Sequence, residues 1–241
     1  MSSAGRFSPP TGRSLGRTVL LLLVTLAVLL AVLVMVGWVI THPLKGTMAH
    51  ENSVNRWFVD QRTSGLTDVA DVGTFIGQTL TGAVVLALLG IGFAVWKSTW
   101  WPLVFVGVLD AGLGLFYLVG TTVIPRMRPP VHILQSGLVP DHSFPSGHTG
   151  TATGIALALA ALLWAYTRVS PALLVALVVI PLWTMLARLY VGAHHVSDVL
   201  TAFVYAGLWL LLCARMLLPA RTPESQPGSD AGSPSLKSVA R

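Results

Sequence analysis

Three short stretches of this chain hold residues whose types and spacing suit work on a phosphate. The first is ARLYVGAHHVSD, Ala187 to Asp198. His194 and Asp198 are four apart, which predicts a shared face at a helix start. A carboxylate beside an imidazole fixes its tautomer and makes the other ring nitrogen more nucleophilic. His195 is turned about 100° away from that face if the segment is helical, and Arg188 ends the preceding helix. The second stretch is PSGHT, Pro145 to Thr149. Ser146 can cap a helix, Gly147 lets backbone approach a ligand, and a helix N-terminus attracts anions. His148 adds a proton donor at the same point. The third is TTVIPRMRPPVH, Thr121 to His132. Its prolines stop a helix and leave Arg126 and Arg128 just above the lipid, where a guanidinium fork matches phosphate oxygens. Each stretch also has a plainer reading: an interfacial loop rich in Tyr and His, an ordinary helix cap, and snorkelling cations. Together they supply cations, a nucleophile, its orienter and an acid. No cluster of cysteines or carboxylates suggests a metal.

Composition dictates what positions these groups. The chain has 241 residues, 54% hydrophobic and 10% charged, against about 25% charged in soluble domains. Its single cysteine, Cys213, excludes an intrachain disulfide. A membrane helix needs roughly 20 apolar residues. Six candidates stand out: Val19 to Ile40, Leu80 to Trp96, Trp101 to Gly120, Thr151 to Tyr166, Pro171 to Ala187, and Val199 to Leu218. The fold class predicted is all-α, an integral membrane six-helix bundle. The basic arm before the first run resembles a signal peptide, but a cleaved apolar region spans about 7–15 residues and this one is longer. An uncleaved anchor is expected.

Threading six helices with the N-terminus inside places nine Lys and Arg in the cytoplasm and six outside. Each short inner loop has one cation and no anion, as the positive-inside bias requires. The net charge of +6 is thereby explained without nucleic acid. All seven histidines fall on the outer side. So does the segment 51–76, where Val54, Trp57, Phe58, Val69, Val72, Phe75 and Ile76 recur at helical spacing. It predicts helices lying along the interface, acting as a lid or as a plain connector.

With these residues in view, the chain resembles the type 2 phosphatidic acid phosphatase family, whose pattern is KxxxxxxRP, then PSGH, then SRxxxxxHxxxD. The first part reads TTVIPRMRP, ending at Arg128 and Pro129; the second is complete from Pro145 to His148; the third has Arg188, His194 and Asp198 at the family spacing. The resemblance implies that His194 attacks phosphorus, Asp198 holds His194 and His148 protonates the leaving oxygen. It implies that Arg128, Arg188, Ser146 and the Gly147 amide bind phosphate oxygens, without a metal or other cofactor. Two positions depart: Thr121 stands for the lysine and Ala187 for the serine. Arg126 is the expected substitute for the lysine's charge.

The function expected is a phosphatase of a lipid phosphate or diphosphate, acting on the outer face of the plasma membrane through a phosphohistidine. Both termini would be cytoplasmic, and no protein partner is implied. A non-catalytic lipid-phosphate binder is the alternative that Thr121 motivates. A transporter is the other, disfavoured by the lack of an evident repeat and by few charges within the helices. Residues 1–17 are expected to be a disordered arm, 18–218 the membrane domain and 219–241 a disordered tail. Asp110, inside the third span, either contacts a headgroup or water, or is protonated and bonded to a neighbouring helix. The second reading is preferred.

Overall fold

The computed structural model describes residues 11–220. Ten helices follow in order: α1 (Leu15–Thr41), α2 (Lys45–Met48), α3 (Glu51–Asp60), α4 (Ser64–Ile76), α5 (Thr79–Lys97), α6 (Trp101–Val123), α7 (Gly147–Tyr166), α8 (Pro171–Ala176), α9 (Val179–Tyr190) and α10 (Val196–Leu217). Six segments are long and apolar enough to cross a membrane: α1, α5, α6, α7, the α8–α9 pair and α10. The six expected spans are all present. Among the described residues there are no strands, only an isolated bridge between Arg126 and His142. Most of the expected N-terminal arm and C-terminal tail lies outside the described residues; within the arm, residues 15–17 already belong to α1.

Helix limits follow local chemistry. Ser14 caps α1 by accepting from the Arg17 amide, and Thr63 caps α4 by accepting from the Leu66 amide. The fifth span is broken at Leu177 and Val178. Pro181 has no N–H to return to the carbonyl of residue 177, so the helix restarts rather than continues. Like α1, which starts at Leu15, α7 and α10 begin earlier than apolarity predicts. Ser146 accepts from the Thr149 amide and starts α7 at Gly147, and α10 starts at Val196. Their first turns are polar, so hydropathy alone misses them.

The core lies between α6, α7 and α10, with α5 against α6 and α7. Trp209 of α10 is 1% exposed and donates from Nε1 to the Leu109 carbonyl of α6 at 3.2 Å. That approach needs Gly112, where a Cβ would lie 2.1 Å from the indole nitrogen; small residues allow such contacts in lipid. Gly120 does the same near the end of α6, where a Cβ would meet Pro145 at 2.2 Å and push away the start of α7. By contrast, α1 turns Leu20, Leu23, Val24 and Val28 outward, as a peripheral membrane helix must. The short helices α3 and α4 cross one end of the bundle. α4 packs Ala70, Gly73 and Thr74 inward on α9 and exposes Val69, Val72 and Phe75.

Candidate active site

The three stretches meet at the end of the bundle that α3 and α4 cross. After α6, the chain pairs with the segment that leads into α7 through an isolated parallel bridge between Arg126 and His142. The Arg126 amide donates to the Asp141 carbonyl at 2.9 Å and the Arg128 amide to the Pro140 carbonyl at 3.0 Å. The Arg128 guanidinium ties this layer together by donating to the carbonyls of Val139 (2.9 Å), Ala193 (2.7 Å) and His142 (3.0 Å). Three of its five N–H groups are thus used, and two remain for a ligand.

His194 is 3% exposed and precedes α10. Its Nδ1 lies 2.7 Å from the Ser143 carbonyl oxygen. A carbonyl can only accept, so Nδ1 carries the proton and Nε2 the lone pair. Burial pushes the imidazole's pKa down to about 4. The Arg188 and Arg128 charges push the same way, while Asp198 opposes them. His194 is therefore neutral at neutral pH, as a nitrogen nucleophile must be.

Asp198 is fully buried at the third position of α10. Its Oδ2 accepts from the Ser143 hydroxyl (2.6 Å) and from the His195 amide (2.8 Å), and its Oδ1 accepts from Arg126 Nη1 (2.5 Å). Its nearest approach to His194 Nδ1 is 3.8 Å, too long for a hydrogen bond. This corrects the expectation that Asp198 holds His194 across a helix face. His194 lies outside the helix, the Ser143 carbonyl accepts a hydrogen bond from its Nδ1–H, and Asp198 fixes Ser143 and the α10 N-terminus instead.

A cavity of about 190 Å³ opens on these groups. Its lining includes Arg128, His142, Gly147, His148 and His194, together with Tyr117, Asp110, Thr151 and Tyr205. His148 Nε2 has no protein partner. Arg188 is 0% exposed and lies behind the lining, with Nη1 donating to Thr74 Oγ1 at 3.2 Å and Nε and Nη2 unpartnered. A buried cation with two unmade hydrogen bonds suits an anion as its partner. Ser146 is buried and caps α7. At Gly147 a Cβ would lie 3.0 Å from the Tyr117 ring.

Two residues of the Thr121–His132 stretch are placed elsewhere. Arg126 does not line this cavity. It binds Asp198 and Ser197 Oγ (2.7 Å), approaches Glu51 at 3.7 Å, and borders a separate cavity of about 310 Å³ with Lys45, Asn52 and His195. Its charge is committed to a buried carboxylate, which corrects its expected role as the missing lysine. Thr121 folds its hydroxyl back onto the Tyr117 carbonyl at 2.9 Å. Asp110 also departs from expectation. It has no hydrogen bond or ion pair with any described residue and faces the cavity.

A family model described as the PAP2 superfamily matches residues 99–221. The chain belongs to the PAP2 superfamily. The matched range holds all three stretches. Rat and mouse sphingosine-1-phosphate phosphatase 1 are each 34% identical to it over 87 residues, 35% of this chain. That match spans 20% of the length of those relatives. A crystal structure of a transmembrane PAP2-type phosphatidylglycerolphosphate phosphatase from Bacillus subtilis superposes with a TM-score of 0.63. The superposition covers 79% of this chain and 92% of that one at 22% identity, and shows a shared PAP2 fold.

The PAP2 site here also depends on residues that no motif marks. Asn55 Nδ2 donates to the His194 carbonyl at 3.0 Å, and Glu51 Oε2 accepts from both Ser197 N and Ser197 Oγ at 3.0 Å. Ser143 joins His194 to Asp198. Nothing in their local spacing signals these contacts; each partner is 51 to 146 positions away.

Proposed function

We propose that the protein is a membrane phosphatase that hydrolyses a phosphate or diphosphate ester of a lipid through a phosphohistidine. The observation that carries this reading is the convergence of Arg128, His148 and His194 on one cavity, with Arg188 buried behind it. In the proposed reaction, His194 Nε2 attacks phosphorus and the P–O bond to the lipid breaks. His148 gives a proton to the departing oxygen. Arg128, Arg188, Ser146 and the Gly147 amide stabilise the charge on the phosphoryl oxygens. Water then attacks the phosphohistidine, losing its proton to His148, and phosphate leaves. Every role here falls to the chain's own side chains and backbone.

The cation bias of the loops supports a site on the extracytoplasmic face of the plasma membrane, with both termini cytoplasmic. The membrane position of the cavity suits a substrate with its phosphate in water and its tail in lipid. Phosphatidic acid, phosphatidylglycerol phosphate and polyprenyl diphosphate all have that form. A binding-only relative is the second reading, favoured by Thr121, which adds no cation. Phosphate release from dioctanoyl phosphatidic acid by purified protein in detergent, with EDTA present, separates the two. Turnover that His194→Ala abolishes supports the enzyme; binding without turnover supports the alternative.

A further inference from the structure

At the face opposite the active site, α7, α8 and α10 border a groove of about 630 Å³ that shares no lining residue with the phosphate cavity. Most of its wall is apolar. Leu157 and Ala165 line it along α7, and Leu210 and Leu211 line it from the last two turns of α10. α8 buries none of its own residues, which leaves the groove open between the spans. Two arginines line it as well: Arg13 from the chain before α1, and Arg215 from the last turn of α10. Thr11 Oγ1 donates to the Met216 carbonyl at 3.4 Å and pins the first of these segments against the second. Both arginines are exposed, and neither has an ion pair with any described residue. Among the described residues no Asp or Glu lines the groove.

We propose that this groove binds an anionic phospholipid of the leaflet opposite the active site, with an acyl chain along α7 and α10 and the phosphodiester at Arg13 and Arg215. Length and polarity argue for the acyl chain. α7 and α10 are both apolar enough to cross a membrane. Leu157 and Ala165 are eight residues apart, about 12 Å at 1.5 Å per residue, close to half of a ~30 Å hydrocarbon core. The chain's own segments 1–10 and 221–241 are rich in Ser, Pro and Gly and have few apolar side chains to fill such a wall. Charge argues for the headgroup. A guanidinium fork matches phosphate oxygens, and basic pockets between membrane helices hold anionic headgroups. Two unpaired arginines with no acid beside them favour a net negative headgroup over a zwitterionic one. Among the described residues no histidine lines the groove, so the lipid here is a ligand and not a substrate. The site stands apart from the phosphatase reading and does not depend on it.

The test uses full-length protein in vesicles of equimolar dioleoyl phosphatidylglycerol and dioleoyl phosphatidylcholine. A photoreactive diazirine side chain is placed at Leu211, and mass spectrometry identifies what it captures. The expected adduct is phosphatidylglycerol, in excess over phosphatidylcholine by roughly tenfold or more, since each arginine near an anionic headgroup is worth about a fivefold preference. Arg13→Gln combined with Arg215→Gln is expected to bring that ratio to one. Arg13→Lys combined with Arg215→Lys keeps the charge and should keep most of the preference. Both lipids are counted in one sample, so folding yield and capture efficiency cancel. Equal capture of the two lipids by the wild type, or a ratio unmoved in the glutamine pair, overturns the proposal. Capture of residues 221–241 in place of lipid assigns the groove to the chain's own C-terminal segment, and capture of a second copy assigns it to an oligomer; either result overturns it too. The readout needs no turnover, so it decides the groove whether or not the protein releases phosphate.

Discussion

At the scale of single residues, the pair Arg126–Asp198 carries the sharpest departure from what spacing implies. An arginine two positions before Arg128 looks like a phosphate ligand, yet its charge neutralises a fully buried carboxylate. Removing one partner of such a pair costs on the order of 3–5 kcal/mol. Arg126→Ala is therefore expected to lower the melting temperature and to lower kcat by more than tenfold, with KM little changed, because on the proposed mechanism Asp198 and Ser143 position the nucleophile His194 rather than bind phosphate. Thr121→Lys in that background should restore nothing. Kinetics and thermal melts of both single variants and the double variant check this; rescue by lysine would show that Arg126 contacts phosphate after all. His194 makes a second prediction. Its folded pKa of about 4 lies below the ordinary 6.5. The unfolded chain therefore takes up a proton that the folded site refuses, and this residue's contribution to stability is complete above pH 6.5 and lost as pH falls towards 4. Histidine ¹⁵N NMR in detergent should show one neutral ring protonated on Nδ1 throughout that window. A ring that titrates near 6.5 would contradict the assigned burial.

At the scale of elements, legibility divides by the range of the interaction. Spans were legible because lipid imposes length and apolarity on each one separately. The starts of α7 and α10 were not, because Ser146, Gly147 and His148, and then Ser197 and Asp198, make polar first turns. The three stretches were legible as candidates, since each is contiguous. What braces them was not. Asn55, Glu51 and Thr74 sit on α3 and α4 and reach partners 114 to 146 positions away, and no periodicity reports that. α3 and α4 are thus fastened to the site by named hydrogen bonds, which disfavours a freely opening lid. Asn55→Ala is expected to leave the protein folded but to lower kcat by about tenfold, since one hydrogen bond at the His194 carbonyl is worth about 1–1.5 kcal/mol. Thr74→Val should weaken the site through Arg188 and raise KM. Steady-state kinetics of the two variants separates these effects; unchanged kinetics in both would make the helices connectors only.

At the scale of the whole molecule, an even number of spans puts both ends of the described chain at the face opposite the site, where Thr11 Oγ1 reaches the Met216 carbonyl at 3.4 Å. On the proposed function, a lipid's phosphate would reach polar groups at one end of the bundle while its tail stays among apolar helices. A membrane-impermeant maleimide should label a cysteine placed at Gly137 in intact cells and one placed at Ser98 only after lysis, both in a Cys213→Ala background. The opposite pattern would invert the proposed orientation. The central claim is that His194 Nε2 takes the phosphoryl group while Nδ1 is held by Ser143. The most direct measurement is rapid quenching of the enzyme during turnover of a ³²P-labelled short-chain lipid phosphate, followed by mass spectrometry of the labelled peptide. The account predicts an acid-labile, alkali-stable phosphohistidine on Nε2 of His194, absent in His194→Ala. Label on His195, label on Nδ1, or undiminished turnover in His194→Ala would contradict it.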